Sequence, residues 1–288
     1  MRYAFIRANQ GQWPVTRMLE VLEVSSSGYY AWRNRPPSPR AQRDAVLSEK
    51  IVQIHQMSHA TYGTPRLQVE LRSQGIRCSR RRIGRLMRAA GLVTRCSRRH
   101  KPRTTRSNPS HFKYPNRLKR DFNATTPNRK WAADITYIGT DEGWLYAAGI
   151  IDLHSRKIVG LALDTHMTGD LTERALHMAL TERRPEAGLL FHSDQGSQYT
   201  AWGHTSILDG HQALISMSRR GECLDNAAIE SFWGTLKAEC ADQRFSSVAE
   251  AKTAIFAYTM GWYNRQRRHS TLGYLSPEQY ERSTALKN

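Results

Sequence analysis

Three carboxylates stand at positions suited to metal-assisted chemistry on phosphate esters. Asp134 falls in the middle of the apolar-rich run 131–137, Asp194 closes a run that begins with Leu189, Leu190 and Phe191, and Glu230 lies in a segment of helical periodicity. A carboxylate among apolar residues is unfavourable to bury unless its charge is compensated. Three brought together raise one another's pKa. Divalent cations remove that penalty. Mg²⁺ prefers oxygen ligands, and two ions about 3.5–4 Å apart activate an attacking oxygen and stabilise a leaving one. Each acid taken alone also fits a cap or an ion pair; the set in its strand, strand-end and helix setting is what points to chemistry.

The segments that must position these acids are readable from periodicity. Residues 131–138, 144–151 and 157–163 form three apolar runs joined by short turns, which predicts an antiparallel meander. Leu171, Ala175, Met178 and Ala179 mark a helix, residues 189–193 a short buried strand, and a second helix begins near Asp225. In that helix Ile229, Phe232, Trp233 and Leu236 make the apolar stripe, while Asn226, Glu230 and Lys237 share another face. The order βββαβα predicts an α/β, ribonuclease-H-like core: a mixed sheet with helices on its faces. Asp152, at the end of the second strand, is expected to be a turn acid. His192 fits two roles, orienting Asp194 or packing in the core.

Ahead of the core the pattern is helical. Gly63-Thr64-Pro65 opens a helix to about Ser73, Gln74-Gly75 breaks it, and Ser79 caps a second that Gly91 stops. Ile83, Leu86, Met87 and Ala90 form one stripe on the second helix, and Arg80, Arg81, Arg82, Arg85 and Arg88 occupy the rest. A helix-turn-helix near 64–91, its basic helix entering the major groove, is expected. An earlier pair, Val15, Met18, Leu19 and Leu22 followed by Ser25-Ser26-Ser27-Gly28 and Tyr29-Tyr30-Ala31-Trp32, fits either another helix-turn-helix or a packed hairpin. Between Arg95 and Lys130 twelve Lys or Arg accompany one acid, Asp121, with four prolines. The expected organisation is a helical DNA-binding region at 1–93, a basic linker lying along DNA at 94–129, and a catalytic core with a C-terminal helical segment at 130–288.

The whole chain is basic: in 288 residues, 43 Lys and Arg against 25 Asp and Glu give a formal charge of +18. That balance favours a polyanionic partner, since each neutralised phosphate releases counterions. No stretch approaches about 18 consecutive apolar residues, so no membrane span is expected. Cys78, Cys96, Cys223 and Cys240 are widely spaced and expected to be reduced thiols. His55 and His59 have a zinc-like spacing but no C-x-x-C beside them. His269 fits a DNA contact or a cap for the last helix.

The motifs together are specific. Trp131-x-x-Asp134-Ile-Thr-Tyr, His192-Ser-Asp194-x-Gly-Ser-Gln-Tyr and Asp225-Asn-x-x-x-Glu230-Ser-Phe, with thirty-five residues between Asp194 and Glu230, resemble the catalytic blocks of insertion-sequence family three. This is a branch of the DDE transposases related to retroviral integrases, and the likeness is to its downstream-frame product. Tyr62-Gly63, residues 85–92, Tyr263-Asn264, residues 268–274 and Ser276-Pro277 extend it over nearly the whole chain. The resemblance implies cleavage at the 3′ ends of a mobile element and joining of the freed 3′-OH to another phosphodiester. Asp134, Asp194 and Glu230 would hold two Mg²⁺ ions, with Mn²⁺ as a substitute, and Lys237 would meet DNA. It further implies duplex DNA as partner, element ends and target alike, and a homo-oligomer on DNA. A fusion with an upstream-frame protein by frameshifting and a bacterial cytoplasm, at the nucleoid, are implied too. This chain lacks the His-His-Cys-Cys zinc module of many integrases and any coiled-coil heptad run, so the fusion is expected to supply part of the element-end binding. The alternatives are a ribonuclease-H-like nuclease that only hydrolyses and a DNA-binding regulator derived from an inactive transposon. The intact acid set opposes the second, and the separate helix-turn-helix the first.

Overall fold

The computed structural model describes residues 1–95, 113–219, 222–242 and 244–286. Contacts divide the chain into two compact units, Met1–Val52 and Gln53–Asn288. The division falls inside a helix, whereas the sequence placed its first boundary near residue 94. Cys96, Pro102 and Pro109 lie outside the described residues.

The first unit holds α1 (Arg2–Asn9), α2 (Val15–Val21), α3 (Ser26–Asn34) and the start of α4 (Pro39–Met57). Ile6, Met18, Leu19 and Tyr29 are its buried centre, with Tyr3, Val15, Leu22, Val24 and Trp32 packed around them. The second unit opens with α5 (Thr64–Ser73) and α6 (Arg80–Ala89). Ser79 caps α6 by accepting the Arg82 N–H at 3.3 Å, and Ile83, Leu86 and Met87 are buried as the spacing predicts. Ala90 is exposed, because the helix has already ended there.

The core of the second unit is one five-stranded sheet. Its strands are β1 (Lys130–Thr140), β2 (Gly143–Asp152), β3 (Ile158–Asp164), β4 (Leu190–Ser193) and β5 (Leu214–Met217), in the order β3-β2-β1-β4-β5. The β1–β2 and β2–β3 pairs are antiparallel, and β4 and β5 add in parallel. The helix α7 (Gly169–Arg183) covers one face, burying Leu171, Ala175, Leu176 and Ala179. Between β4 and β5 runs α8 (Trp202–Gly210). The α8–β5 unit is an addition to the expected βββαβα order. With α9 (Ala227–Glu239) following, the architecture is the ribonuclease-H-like one the meander announced.

Part of the segment expected to lie along DNA is instead strapped to the sheet edge. Leu118 is buried, the Arg117 and Leu118 N–H groups donate to Ser216 Oγ on β5, and Lys130 Nζ holds Asp121 at 2.6 Å. Beyond α9, α10 (Val248–Phe256) runs into a π-helical stretch, Ala257–Tyr263, and the described chain ends with α11 (Pro277–Ala285). Ser276 caps α11 in a full capping box. No helix among the described residues is long and apolar enough to cross a membrane.

Candidate active site

Asp134 sits mid-strand on β1, directly across from Gly149 on β2. The glycine matters because a Cβ there would lie 2.8 Å from the Trp233 ring. Its absence lets α9 settle onto the sheet beside Asp134. A second tether acts at the start of α9, where Asn226 Nδ2 donates to the Ala133 carbonyl at 2.9 Å. Behind it Asp225 is fully buried and accepts from Asn116, Arg120 and Arg219. Burial alone would raise the Asp225 carboxyl, but the hydrogen bonds from Arg219 and Arg120 outweigh it and hold it well below the usual carboxylate range. The helix that carries Glu230 is pinned at its N-cap residue, Asn226, and along its buried stripe.

Asp194 leaves the end of β4 in a tight turn. The Gly196 N–H donates to Asp194 Oδ1 at 2.9 Å, and a Cβ on Gly196 would meet that same oxygen at 2.9 Å. The turn therefore requires glycine to wrap around the carboxylate. Glu230 is exposed in the first turn of α9, where the helix dipole favours a negative charge.

Electrostatics tie the three together. Burial pushes the half-buried Asp134 carboxyl well above the carboxylate range, and the charges of Asp194 and Glu230 both push it further. Lys237 lies with its Nζ 5.0 Å from the centre of the Tyr137 ring. Burial lowers its pKa and the charge of Asp134 partly restores it. Tyr199, which sequence spacing did not single out, also belongs here. It is buried, its hydroxyl has no hydrogen-bond partner, and burial together with Asp134 and Asp194 keeps that hydroxyl protonated.

Among the described residues no three His, Cys, Asp or Glu side chains lie close enough to hold a metal ion as they stand. The donor set nonetheless fits a hard divalent cation. It consists of carboxylate oxygens, one of them destabilised by the other two; the Oδ1 of Asn226, whose Nδ2 holds the Ala133 carbonyl, is buried with no hydrogen-bond partner.

Four of the histidine and aspartate candidates have structural surroundings. Both His192 ring nitrogens are taken up by β5-side serines, Ser216 at 2.8 Å and Ser218 at 3.1 Å, so it acts on Asp194 only through the strand it fixes. Burial lowers its pKa to about 4. Asp152 is fully buried and accepts from the Asn128 and His154 N–H groups, which makes it a turn acid. His269 is buried against Tyr263, with ring centres 4.8 Å apart, away from a DNA-contacting or capping role. His59 stacks edge-on against Tyr258 and Trp262. Of the α6 arginines, Arg81, Arg85 and Arg88 are exposed and Arg82 is half-buried. Arg80 is exposed as well, and its Nε donates to Gln68 Oε1 on α5 at 3.0 Å.

The C-terminal block is a clamp. Glu239, the last residue of α9, is buried and takes hydrogen bonds from Arg267 Nη2 at 2.7 Å and Tyr258 Oη at 2.8 Å. The next residue, Arg268, turns to α5: its Nε reaches Glu70 at 2.5 Å and its backbone N–H donates to Tyr62 Oη at 2.7 Å. Asn264 pairs with both backbone groups of Ile158 on β3. Sequence reasoning missed these roles; the Arg267-Arg268 pair was a visible signal, but nothing local told which partner each would find.

A mixed sheet with acids on its first strand, at the end of its fourth and on the helix beyond its fifth defines an integrase-type nucleotidyl-transfer core. The sequence matches the family described as Integrase core domain over residues 124–223, a second Integrase core domain family over 211–277, and the HTH-like domain family over 41–100. It is 48% identical over 262 residues to the insertion element IS600 uncharacterized 31 kDa protein of Shigella sonnei, covering 90% of this chain and 96% of that one. It is 39% identical over 284 residues to transposase InsF for insertion sequence IS3A of Escherichia coli (strain K12), covering 98% of each. The simian T-cell lymphotropic virus intasome structure aligns at 14% identity with a TM-score of 0.47, over 80% of this chain and 74% of that one. The chain belongs to the IS3 family of insertion-sequence transposases.

The Gly149–Trp233 contact yields a testable consequence. Gly149→Ala is expected to push Trp233, and α9 with it, off the sheet. Overpacking of this kind costs about 1–3 kcal/mol, while a catalytic group misplaced by about 1 Å loses roughly 100-fold in rate. Urea midpoints and DNA-cutting rates measured on one preparation check it. Full activity in a stably folded variant would mean that this contact does not set Glu230.

Proposed function

We propose that this transposase cuts the 3′ ends of an insertion sequence and joins the freed 3′-OH to a second phosphodiester, using Asp134, Asp194 and Glu230 to hold two Mg²⁺ ions. The proposal is supported by the placement of the acids on β1, at the end of β4 and in the first turn of α9, with the charges of Asp194 and Glu230 both bearing on half-buried Asp134. When bound, paired divalent ions stabilise the attacking and leaving oxygens of an in-line displacement. The protein's part is to hold the carboxylates. Asp134 is fixed by the strand ladder, Asp194 by the Gly196 N–H, and Glu230 by the seating of α9. Lys237, beside Tyr137 and Asp134, is assigned to a phosphate of the bound DNA, and Arg81, Arg82, Arg85 and Arg88 to the groove and backbone of the element end.

The same proposal assigns residues 1–93 to DNA binding, 94–129 to the connection and 130–288 to catalysis. The active species is a homo-oligomer on DNA, formed with an upstream-frame partner fused by frameshifting, in a bacterial cytoplasm at the nucleoid.

The test is a strand-transfer assay on duplexes carrying the element's terminal repeat. With Mg²⁺ or Mn²⁺, the chain or its frameshift fusion is expected to yield both cut and joined products; a chelator should abolish both. Cutting without any joined product, on correct ends and with the fusion present, would instead identify a hydrolytic nuclease.

A further inference from the structure

The first unit contains a helix pair that the catalytic core does not use. The helix α2 ends at Val21 and α3 begins at Ser26, so four residues join them, the length typical of a helix-turn-helix. Glu23 takes the left-handed conformation, φ 53°, and the Val24 N–H closes back onto the Leu19 carbonyl at 3.0 Å. Val24 packs against the unit's core, and Ser25 caps α3 by accepting the Gly28 N–H at 3.0 Å. The α5–α6 pair, joined by the longer segment 74–79, closes its turn and caps its second helix in the same way. There Gly75 has φ 79°, the Ile76 N–H donates to the Leu71 carbonyl at 2.8 Å, and Ser79 caps the second helix.

The two faces of α3 differ in chemistry. Tyr29 is fully buried and Trp32 packs beside it, and a Cβ on Gly28 would lie 2.5 Å from Tyr3 Oη, so this side sits tightly on the unit's core. Ser26, Tyr30 and Arg33, spaced by four and three, stand exposed on the opposite side with Ser27 and Asn34. Serine, asparagine and arginine are side chains that read base edges and phosphates. From Val24 to Arg43 there are four arginines and no acid.

We infer that α2–α3 is a second helix-turn-helix, with α3 reading duplex DNA in the major groove independently of α6. The transposase would then recognise its DNA at two separated blocks of sequence, one for each reading helix. The partner is duplex DNA rather than a second copy of the chain, because the exposed face of α3 is polar and cationic and offers one large aromatic, Tyr30, at its centre.

The experiment selects binding sites from a random duplex pool with the full-length chain. It is repeated with the Tyr30→Ala/Arg33→Ala double variant and with Arg81→Ala/Arg85→Ala. The wild type is expected to enrich two blocks, with each double variant losing a different one and about 10-fold or more in affinity for the wild-type site. Arg33→Lys keeps the charge, so its salt dependence should match the wild type while its block of sequence degrades; a merely structural or phosphate-only Arg33 would not behave so. Circular dichroism verifies that the exposed substitutions leave the fold intact. The inference is overturned if the wild type enriches no sequence or one block only, or if the α3 variant selects the same two blocks with equal affinity. An α3 variant that alters only the oligomeric state likewise overturns it, and marks the face as a protein interface.

Discussion

Glu230→Gln should abolish cutting and joining together while leaving DNA affinity unchanged. The substitution keeps the shape of the side chain and removes one of the two charges that push the Asp134 carboxyl up. Glu230 is exposed and outside the buried stripe of α9, so the substitution should leave the fold intact. If the carboxylates hold the ions, losing one forfeits several kcal/mol of transition-state stabilisation, on the order of 10³-fold in rate. Single-turnover cutting of an element-end duplex and joining of a pre-cut end, measured separately, check the expectation. Both must fall. Joining at the wild-type rate in the variant would refute the three-carboxylate mechanism.

The second large effect concerns stability. Arg267→Met leaves the Glu239 carboxylate buried without its cationic partner, held only by the neutral groups Tyr258, Trp262 and Thr61 among the described residues. In the native protein burial raises the Glu239 pKa, but hydrogen bonding and charge from Arg267 more than offset this and depress it. Its contribution to stability is thus present at neutral pH and lost as pH falls through the folded-state value. Without Arg267 the sign reverses, because burial then dominates and the folded-state pKa rises above the unfolded one. Breaking a buried pair of this kind costs about 3–5 kcal/mol. The deficit should be largest near neutral pH and shrink as acid neutralises Glu239. Glu239→Gln/Arg267→Met, which removes both charges, should be milder than Arg267→Met alone. Urea unfolding of wild type and both variants across the acid-to-neutral range tests the three statements. A deficit independent of pH, or a double variant as damaged as the single one, would show that the pair is not what matters.

Much of the site was legible because its signals are local. The stripe Ile229, Phe232, Trp233 and Leu236 fixes how α9 faces the sheet, and the meander puts Asp134 in mid-strand. Capping residues announced α6 in the same way. What escaped depends on partners remote in sequence. A glycine in a strand signals that something approaches closely, but nothing near Gly149 says that the visitor is Trp233. The strap carrying Leu118 reads as a basic tether until Ser216 and Asp225 are seen beneath it. Arg267 and Arg268 look interchangeable in the sequence and face opposite elements in the fold.

The parallel pairing of β1 with β4 has a kinetic consequence. The meander from β1 to β3 joins neighbours through tight connections, but Asp194 reaches Asp134 only after β2, β3 and α7 have been spanned, and Glu230 only after α8 and β5 as well. Parallel strands cannot be joined by a hairpin, and contacts that close long loops form slowly. A chain that has folded its meander alone carries a single one of the three acids. On the proposed three-carboxylate assignment, the capacity to break DNA is acquired late in folding, and a local opening that frees α9 would remove it.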